Sequence, residues 1–175
     1  THLAQKKVVI AAGPTREYLD PVRFLSNPSS GRTGFALAES ARRLGAQVTL
    51  IHGPVSLPVP PNVIIRSVMS AQQMYEAVLA EASDADVVFM TAAVADWTPA
   101  APESAKVKKS GQVRMVEFVP TPDILASLGA LPDEQRPLLI GWAAETGDPI
   151  PAAREKRLRK RVDLMVANDV SRNGC

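Results

Sequence analysis

The stretch Val8-Val9-Ile10-Ala11-Ala12-Gly13 decides the fold, because five consecutive apolar residues, three of them β-branched, end at a glycine. A short run that is apolar at every position predicts a strand buried on both faces, as in a parallel sheet covered by helices. Five similar runs follow along the chain, at residues 47–51, 63–68, 86–91, 138–143 and 163–167. The sequence therefore predicts six strands of one buried sheet.

Amphipathic segments between these runs predict helices. Residues 31–44 carry apolar side chains at helical spacing before Gly45, and Ser70 with Gln73 has the spacing of a capping box. Two further helix starts are predicted where a polar residue precedes a proline, at Thr121-Pro122 and at Asp148-Pro149. Alternating strands and helices predict an α/β fold, a Rossmann-like, mostly parallel sheet with helices on both faces.

Composition bounds the class of protein. With 175 residues, 46% hydrophobic and 22% charged, the chain predicts one folded domain over residues 1–175, with 1–7 as a residual linker and the C-terminal end truncated. No run of eighteen apolar residues predicts a membrane-spanning helix, and the polar residues 1–7 carry no signal-peptide core. A single cysteine, Cys175, excludes an internal disulfide and favours the cytoplasm, while two histidines exclude most zinc-site patterns.

The net charge of +2 is unevenly distributed along the chain. Six of the eight residues 154–161 are basic and one is acidic, so the remainder holds 14 basic and 17 acidic residues. A nucleic-acid-binding module would spread its basic residues over a whole face. The sequence therefore disfavours nucleic acid as a partner and indicates one concentrated positive segment.

Two long insertions, residues 15–30 and 97–120, each follow the carboxyl end of a predicted strand. Ligands bind at this edge of open α/β sheets, and connections of such length in a compact domain are usually functional. The first insertion contains hydroxyls, Arg16, Arg23 and the amide of Asn27 before a helix start, which favours an anion site. The plainer alternative is that Asn27 only builds a turn.

The second insertion begins at Asp96-Trp97 and contains a lysine-rich segment, residues 106–109 (KVKK). Small residues before Asp96 allow a flat ligand close to the backbone, and the Asp96 carboxylate suits a sugar hydroxyl or Mg²⁺. Alternatively, Asp96 is a turn residue and Trp97 a packing aromatic. The lysines predict a flap over phosphates or, as the alternative, a solvated hairpin tip.

Lys156 and Lys160 are four residues apart in the basic segment and therefore share one helix face. Together with Trp142, near the end of the fifth predicted strand, they would bracket a base and its triphosphate. The alternative is an ordinary solvated helix face. Asn168 and Asp169 stay open between turn residues and site residues.

Nine blocks occur in a fixed order between residues 8 and 171: AGPTRE, LDPVRFLSNPSSGRTG, GPVSLPVP, AAVADW, KVKK, TPDI, GWAAET, KRLRKRVDL and ANDVS. In their joint order and spacing they resemble the phosphopantothenate–cysteine ligase family, the second half of the bacterial bifunctional coenzyme A biosynthesis protein. The resemblance implies a reaction in two steps. CTP activates the carboxylate of 4′-phosphopantothenate as an acyl-cytidylate with release of pyrophosphate, and the amine of cysteine then displaces CMP.

The same resemblance implies Mg²⁺, a homodimer and an upstream flavin-dependent decarboxylase domain in the full-length chain. It implies that Asn27 holds the acyl-cytidylate for the second step and that Lys106 serves activation. It assigns contacts with CTP to Met90, Thr91, Ala92, Asp96, Lys106, Pro120, Thr121, Pro122, Asp123, Trp142, Lys156 and Lys160. It names no metal ligand. The alternation at residues 114–119 offers a strand that would pair between copies.

The alternative function is a nicotinamide-dependent oxidoreductase on a Rossmann-like sheet. Such an enzyme predicts G-x-G-x-x-G after the first strand, where the chain has Ala12-Gly13-Pro14-Thr15 instead, and no Walker sequence is present either. Thermal shifts with CTP and Mg²⁺, with NADH and with DNA distinguish the ligase, oxidoreductase and nucleic-acid classes, because a ligand stabilises the folded state that binds it.

Overall fold

The computed structural model describes residues 3–171, in which ten strands and four helices follow one another. In chain order they are β1 (Lys7–Ala12), β2 (Arg16–Tyr18), β3 (Phe24–Ser26), α1 (Arg32–Arg43), β4 (Gln47–His52), β5 (Ile64–Ser67), α2 (Ala71–Ala82), β6 (Val87–Met90), β7 (Trp97–Pro99), β8 (Phe118–Pro120), α3 (Ile124–Gly129), β9 (Leu138–Glu145), α4 (Ile150–Arg159) and β10 (Leu164–Asp169). Within residues 3–171, no helix is long and apolar enough to span a membrane.

Six strands form the central sheet in the order β10-β9-β6-β1-β4-β5, and every neighbouring pair is parallel. The predicted sheet is confirmed, and each of the six apolar runs supplies one strand. Val8 of β1 lies opposite Val48 of β4 on one side and Val87 of β6 on the other. The chain passes from β1 to β4 and β5 on one side of β1 and then returns to β6 on the other side. The strand order therefore reverses at β1, and such a reversal creates a crevice at the carboxyl ends of the strands.

Two groups of buried side chains cover the two faces of this sheet. Val9 and Ala11 of β1 belong to the group that contains α2 and α3, whereas Val8 and Ile10 belong to the group that contains α1. Successive residues of a strand point to opposite faces, so one uninterrupted apolar run supplies both groups. The prediction of helices on both faces is confirmed.

The helix starts were only partly predictable. The capping box before α2 is confirmed, since Ser70 Oγ accepts from the Gln73 amide while the Gln73 side chain accepts from the Ser70 amide. The predicted cap at Thr121 is wrong, because the Thr121 hydroxyl donates to the Ala95 carbonyl at 2.6 Å. The cap of α3 is Asp123, whose carboxylate accepts from the Ala126 amide at 3.0 Å.

Helix α4 also begins later than the sequence predicts. Its N-cap is Pro149 rather than Asp148, and a second proline, Pro151, lies in the first turn, where a missing N–H costs no intrahelical bond. Asp148 still contacts this end of the helix, since its carboxylate accepts from the Ile150 amide at 3.1 Å.

The two insertions form short antiparallel hairpins outside the central sheet, β2 with β3 and β7 with β8. The strand predicted over residues 114–119 is only partly present, since the ladder pairs Phe118–Pro120 with Trp97–Pro99. Its partner β7 has three residues and ends at a proline, so among residues 3–171 no strand pairs with residues 114–116.

Candidate active site

A cavity of about 710 Å³ opens at the carboxyl ends of β6, β9 and β10, beside the point where the strand order reverses. Its walls come from the first insertion, the end of β6, the start of α3, the end of β9 and helix α4. A space of this size accommodates a nucleotide-sized ligand. The predicted position of the site, at the carboxyl edge between the two insertions, agrees with this cavity.

The first wall is the end of the first insertion together with the start of α1. Gly31 precedes the helix with a left-handed φ of 73° and has no side chain to cap it, and the first turn carries no acidic residue. The hydroxyls of Ser29 and Ser30 accept from the amides of Gly31 and Arg32 only at 3.4 Å. Gly34 lies in this first turn, and a Cβ there would come within 2.4 Å of the Ala12 side chain, so only glycine lets α1 approach β1 this closely. The amide end of α1 therefore faces the cavity with its positive dipole, as the anion-site prediction requires.

Asn27 links the first wall to a second wall, which is the loop after β6 that contains Ala93 and Val94. Its amide nitrogen donates to the carbonyl of Val94 at 3.0 Å and, less closely, to that of Ala93 at 3.4 Å. Thr15 makes a parallel link, since its fully buried hydroxyl accepts from the Ala95 amide at 2.9 Å. These contacts hold the loop after β1 against the loop after β6.

The third wall carries positive charge from α4. Lys160 forms an ion pair with Asp123 at 2.8 Å, and Lys156 Nζ donates to the carbonyl of Trp142 at 3.2 Å. Burial lowers the pKa of Lys156, and the charge of Lys160 lowers it further. Burial alone would raise the pKa of Asp123, but the hydrogen bonds from Lys160 and from the Ala126 amide outweigh it and lower that pKa. Both lysines thus lie on one side of α4, towards the cavity.

Most of the residues that the sequence selected line this cavity. They are Asn27, Met90, Thr91, Ala92, Asp96, Thr121, Pro122, Asp123, Trp142, Lys156 and Lys160. Pro120 does not line it and faces a neighbouring cavity of about 490 Å³ beside Glu17 and Thr98. Lys106 lies outside the cavity as well, in the exposed segment 106–109.

The structure adds lining residues that the sequence did not select. The largest group of them belongs to the start of α1 and its preceding loop, at residues 28–34. Asn168 is another, because β10 continues two residues beyond the predicted end and carries this amide to the cavity. The sequence offered a signal for both: the hydroxyl-rich loop before Gly31 and the polar pair after the last apolar run.

The cavity's donor set bears on the predicted Mg²⁺. Within residues 3–171, no group of three or more histidine, cysteine, aspartate or glutamate side chains is arranged to hold a metal ion. Asp96 is exposed at the cavity wall, whereas Asp123 is engaged by Lys160. Mg²⁺ in nucleotide sites is commonly held by one or two carboxylates with phosphates and waters, so a single carboxylate at this position fits such an ion.

Comparison with known proteins gives the family of the chain. Residues 3–175 match the family described as DNA/pantothenate metabolism flavoprotein C-terminal domain. The chain is 51% identical over 174 residues to the coenzyme A biosynthesis bifunctional protein CoaBC of Vibrio vulnificus, covering 98% of this chain and 43% of that protein. CoaBC of Bacillus subtilis is 50% identical over 174 residues, covering 99% of this chain and 42% of that protein.

The chain belongs to the DNA/pantothenate metabolism flavoprotein C-terminal domain family. The family resemblance carried by the nine sequence blocks is thereby confirmed. A crystal structure of the C-terminal domain of CoaBC matches the fold with a TM-score of 0.83 at 44% identity, covering 97% of this chain and 80% of that one. The chain spans about two fifths of the length of the curated CoaBC relatives that it matches.

Proposed function

We propose that this family member is a phosphopantothenate–cysteine ligase domain that acts in coenzyme A biosynthesis. One observation carries the proposal: a single nucleotide-sized cavity joins an anion-attracting helix start, a side-chain amide and two lysines. This set suits carboxylate activation by a nucleoside triphosphate. The names of the CoaBC relatives support the biosynthetic context.

The reaction is proposed to proceed in two balanced steps. First, the carboxylate of 4′-phosphopantothenate attacks the α-phosphorus of CTP, forming an acyl-cytidylate as pyrophosphate leaves. The amine of cysteine then attacks the acyl carbon, the bond to CMP breaks, and the amine gives up a proton. No covalent bond to the enzyme is needed, so the residues act by binding and by electrostatic stabilisation.

Lys156 and Lys160 are proposed to bind the phosphates of CTP. The pairs with the Trp142 carbonyl and with Asp123 fix both ammonium groups at the cavity before any ligand arrives. A preplaced charge stabilises the developing negative charge without reorganisation. Lys106, in the exposed segment, is proposed to reach the same phosphates when the segment folds over the cavity and to serve the activation step.

The base of CTP is proposed to lie between β6 and β9. Met90, Thr91 and Ala92 present backbone groups at the strand end, and the Thr91 hydroxyl is occupied by the Ala11 carbonyl at 2.7 Å. Trp142 supplies an aromatic ring at the end of β9. These contacts are the part of the site that distinguishes cytosine from adenine.

Asn27 is proposed to hold the activated carbonyl during attack by cysteine. Its amide nitrogen makes one short contact, to Val94, and one long contact, to Ala93 at 3.4 Å. The hydrogen in the long contact is the one that a substrate oxyanion can take over. An amide donor stabilises the oxyanion without competing as a nucleophile.

Mg²⁺ would be held by Asp96 together with the phosphates and would neutralise charge on the departing pyrophosphate. The charge of Asp96 favours the protonated form of Lys156, although burial and the charge of Lys160 outweigh it and lower the pKa of that lysine.

We also propose that the domain forms a homodimer, in the cytoplasm and downstream of a flavin-dependent decarboxylase domain. The hairpin of β7 and β8, together with the segment just before β8, leaves large apolar side chains exposed: Trp97, Val113, Met115, Phe118 and Val119. An apolar surface of this kind marks a contact with another chain. Sedimentation at micromolar concentration should give a dimer, and a monomer that persists across concentrations would contradict this.

Release of pyrophosphate tests the function directly. With CTP and phosphopantothenate, we expect pyrophosphate release that needs both compounds and that becomes catalytic when cysteine is added. Substitution of ATP should reduce the rate. Failure to release pyrophosphate with any nucleotide, or release that does not need phosphopantothenate, would overturn the proposal. A nicotinamide-dependent oxidoreductase is disfavoured, because Ala12-Gly13-Pro14-Thr15 stands where the dinucleotide fingerprint would follow β1.

A further inference from the structure

A buried carboxylate lies between the first insertion and the lysine-rich segment 106–109. The side chain of Asp20 belongs to the turn after β2, and the residue is only 2% exposed. Its Oδ1 accepts from the amides of Val22 and Arg23, both at 2.8 Å. Its Oδ2 accepts from the Arg23 guanidinium at 2.7 Å and from the amide of Val107 at 3.2 Å. Oδ1 thus serves the turn alone, whereas Oδ2 joins the turn to the lysine-rich segment.

The same turn holds the other side of Val107 as well. The guanidinium of Arg23 donates to the Val107 carbonyl at 3.2 Å, and the amide of Glu103 donates to the Leu19 carbonyl at 2.8 Å. In the described chain, the next residues, 108–112, make only a local bond, from the Gln112 amide to Ser110. Anchoring to the body of the domain therefore stops at Val107, one residue after Lys106.

The charge of Asp20 is suited to this task. Burial would raise the pKa of Asp20, but the hydrogen bonds from the amides of Val22, Arg23 and Val107, with the nearby Arg23 charge, lower it. An aspartate can close its own turn with a single oxygen. The second oxygen is shared between the Arg23 guanidinium of the turn and the amide of Val107, 87 residues away.

We propose that Asp20 is a positioning residue for the ligation reaction, which fixes the backbone of the lysine-rich segment at Val107, next to Lys106, the residue proposed to reach the nucleotide phosphates. The inference rests on the proposed role of Lys106 in activation. Asp20 touches neither substrate nor nucleotide in this scheme and acts through the backbone of Val107.

Asp20→Asn separates the two tasks of this side chain. The asparagine oxygen can replace Oδ1 and keep the turn, whereas its NH₂ group faces two donors, the Val107 amide and the Arg23 guanidinium. We expect hydrogen exchange at the Val107 amide and tryptic cleavage after Lys106 to accelerate about tenfold to a hundredfold, since a bond to a charged acceptor is lost. Both readouts are independent of enzymatic activity.

Kinetics then test the consequence. For pyrophosphate release from CTP, we expect kcat of Asp20→Asn to fall about tenfold or more while KM for CTP changes less than about threefold, because a misplaced group impairs the transition state more than binding. Asp163→Asn is the matched control. Asp163 also accepts from a backbone amide, that of Leu139 at 2.8 Å, and from Arg136, but it lies at the opposite edge of the sheet. Its substitution should lower the free energy of unfolding but leave hydrogen exchange at the Val107 amide and kcat at their wild-type values.

The outcomes are distinct. Unchanged exchange and cleavage in Asp20→Asn overturn the anchoring. Faster exchange with wild-type kcat overturns the positioning role and leaves the ligase function intact. A loss of kcat shared equally with Asp163→Asn shows a general effect of stability and also overturns it. A wild-type chain that releases no pyrophosphate removes the proposed function, and this inference with it.

Discussion

Lysines approach the candidate site from two regions that differ in how they are held. Lys156 of α4 and Lys160, the C-cap that follows it, line the cavity. Lys156 donates to the Trp142 carbonyl and Lys160 pairs with Asp123, and the side chain of Lys160 is only 15% exposed. The lysines of segment 106–109 are exposed, lie outside regular structure and do not line the cavity. The comparison suggests a division of labour, in which charge that binds the nucleotide is fixed by folding and charge that serves one step is brought in by an exposed segment.

The largest expected effect compares Asn27, which lines the cavity, with Lys106 of the exposed segment, because the two residues are proposed to act in different reaction steps. Asn27→Asp should impair attack by cysteine about a hundredfold or more, since loss of an oxyanion donor costs roughly 3 kcal/mol. Lys106→Gln should instead slow formation of the acyl-cytidylate. Rapid-quench detection with CTP and phosphopantothenate, without cysteine, should show accumulated intermediate in the first variant and little in the second.

The opposite pattern, or near wild-type turnover in both variants, would contradict the role assignment. Circular dichroism is the control for folding, because the aspartate at position 27 places an oxygen against the carbonyls that Asn27 contacts, those of Ala93 and Val94.

The next effect concerns affinity for the nucleotide. Lys156→Gln should weaken CTP binding about tenfold or more, the cost of losing one charge-assisted contact. Lys108→Gln is the matched control from the exposed segment, and we expect it to change affinity less than about twofold. Isothermal titration with CTP and Mg²⁺ measures both. Equal losses would show that the two regions hold the nucleotide alike and would remove the contrast.

A smaller effect concerns stability and pH. Asp123→Ala should lower the free energy of unfolding by about 1 kcal/mol, since it removes a helix cap and an ion pair that is partly exposed. Lys106→Ala should change it by less than about 0.5 kcal/mol. Because folding lowers the pKa of Asp123, its charged contribution is present above the unfolded pKa and is lost as pH falls through the folded pKa.

Urea unfolding of both variants and the wild type at pH 7 and at pH 3 measures this prediction. The deficit of Asp123→Ala should be smaller at pH 3. A deficit that grows on acidification would show that the carboxylate does not stabilise the wall through its charge.

The smallest effect concerns the base. CTP with Mg²⁺ should raise the melting temperature by a few degrees more than ATP does, on the scale expected from ligand linkage. Both nucleotides carry the same triphosphate, so we expect the lysines of both regions to treat them alike and the proposed base contacts at the ends of β6 and β9 to distinguish them. An equal or larger shift with ATP would contradict the nucleotide assignment without affecting the ligase class.

Several site features followed from local sequence. The six apolar runs, the capping box at Ser70 and the one-sided placement of Lys156 and Lys160 depend on neighbours within a few residues, and each is present in the structure. The predicted caps at Thr121 and Asp148 are wrong, since the observed caps are Asp123 and Pro149. The reason is a distant contact at Thr121 and the local sequence at Asp148. The carbonyl of Ala95, in the loop after β6, occupies the Thr121 hydroxyl, and two prolines shift the start of α4.

Buried polar residues of the first insertion mark the limit of sequence reasoning. Thr15, Glu17 and Asp20 are all nearly inaccessible, although the sequence gives them the appearance of ordinary loop residues. Their partners are the amides of Ala95, Ala71 and Val107, between 54 and 87 residues away. No periodicity or spacing within the insertion reveals such a distant donor.

The sequence by itself determined the type of each main element, the parallel sheet and the edge at which ligands bind, because burial on two faces and strand–helix alternation are written in local residue patterns. Only the tertiary structure decided which polar groups reach the cavity. It brought Asn168 in, left Lys106 outside, and anchored the neighbour of Lys106 to Asp20. The physical reason is that an unpaired buried donor or acceptor is costly, so its partner is selected by proximity in the folded chain rather than by proximity in sequence.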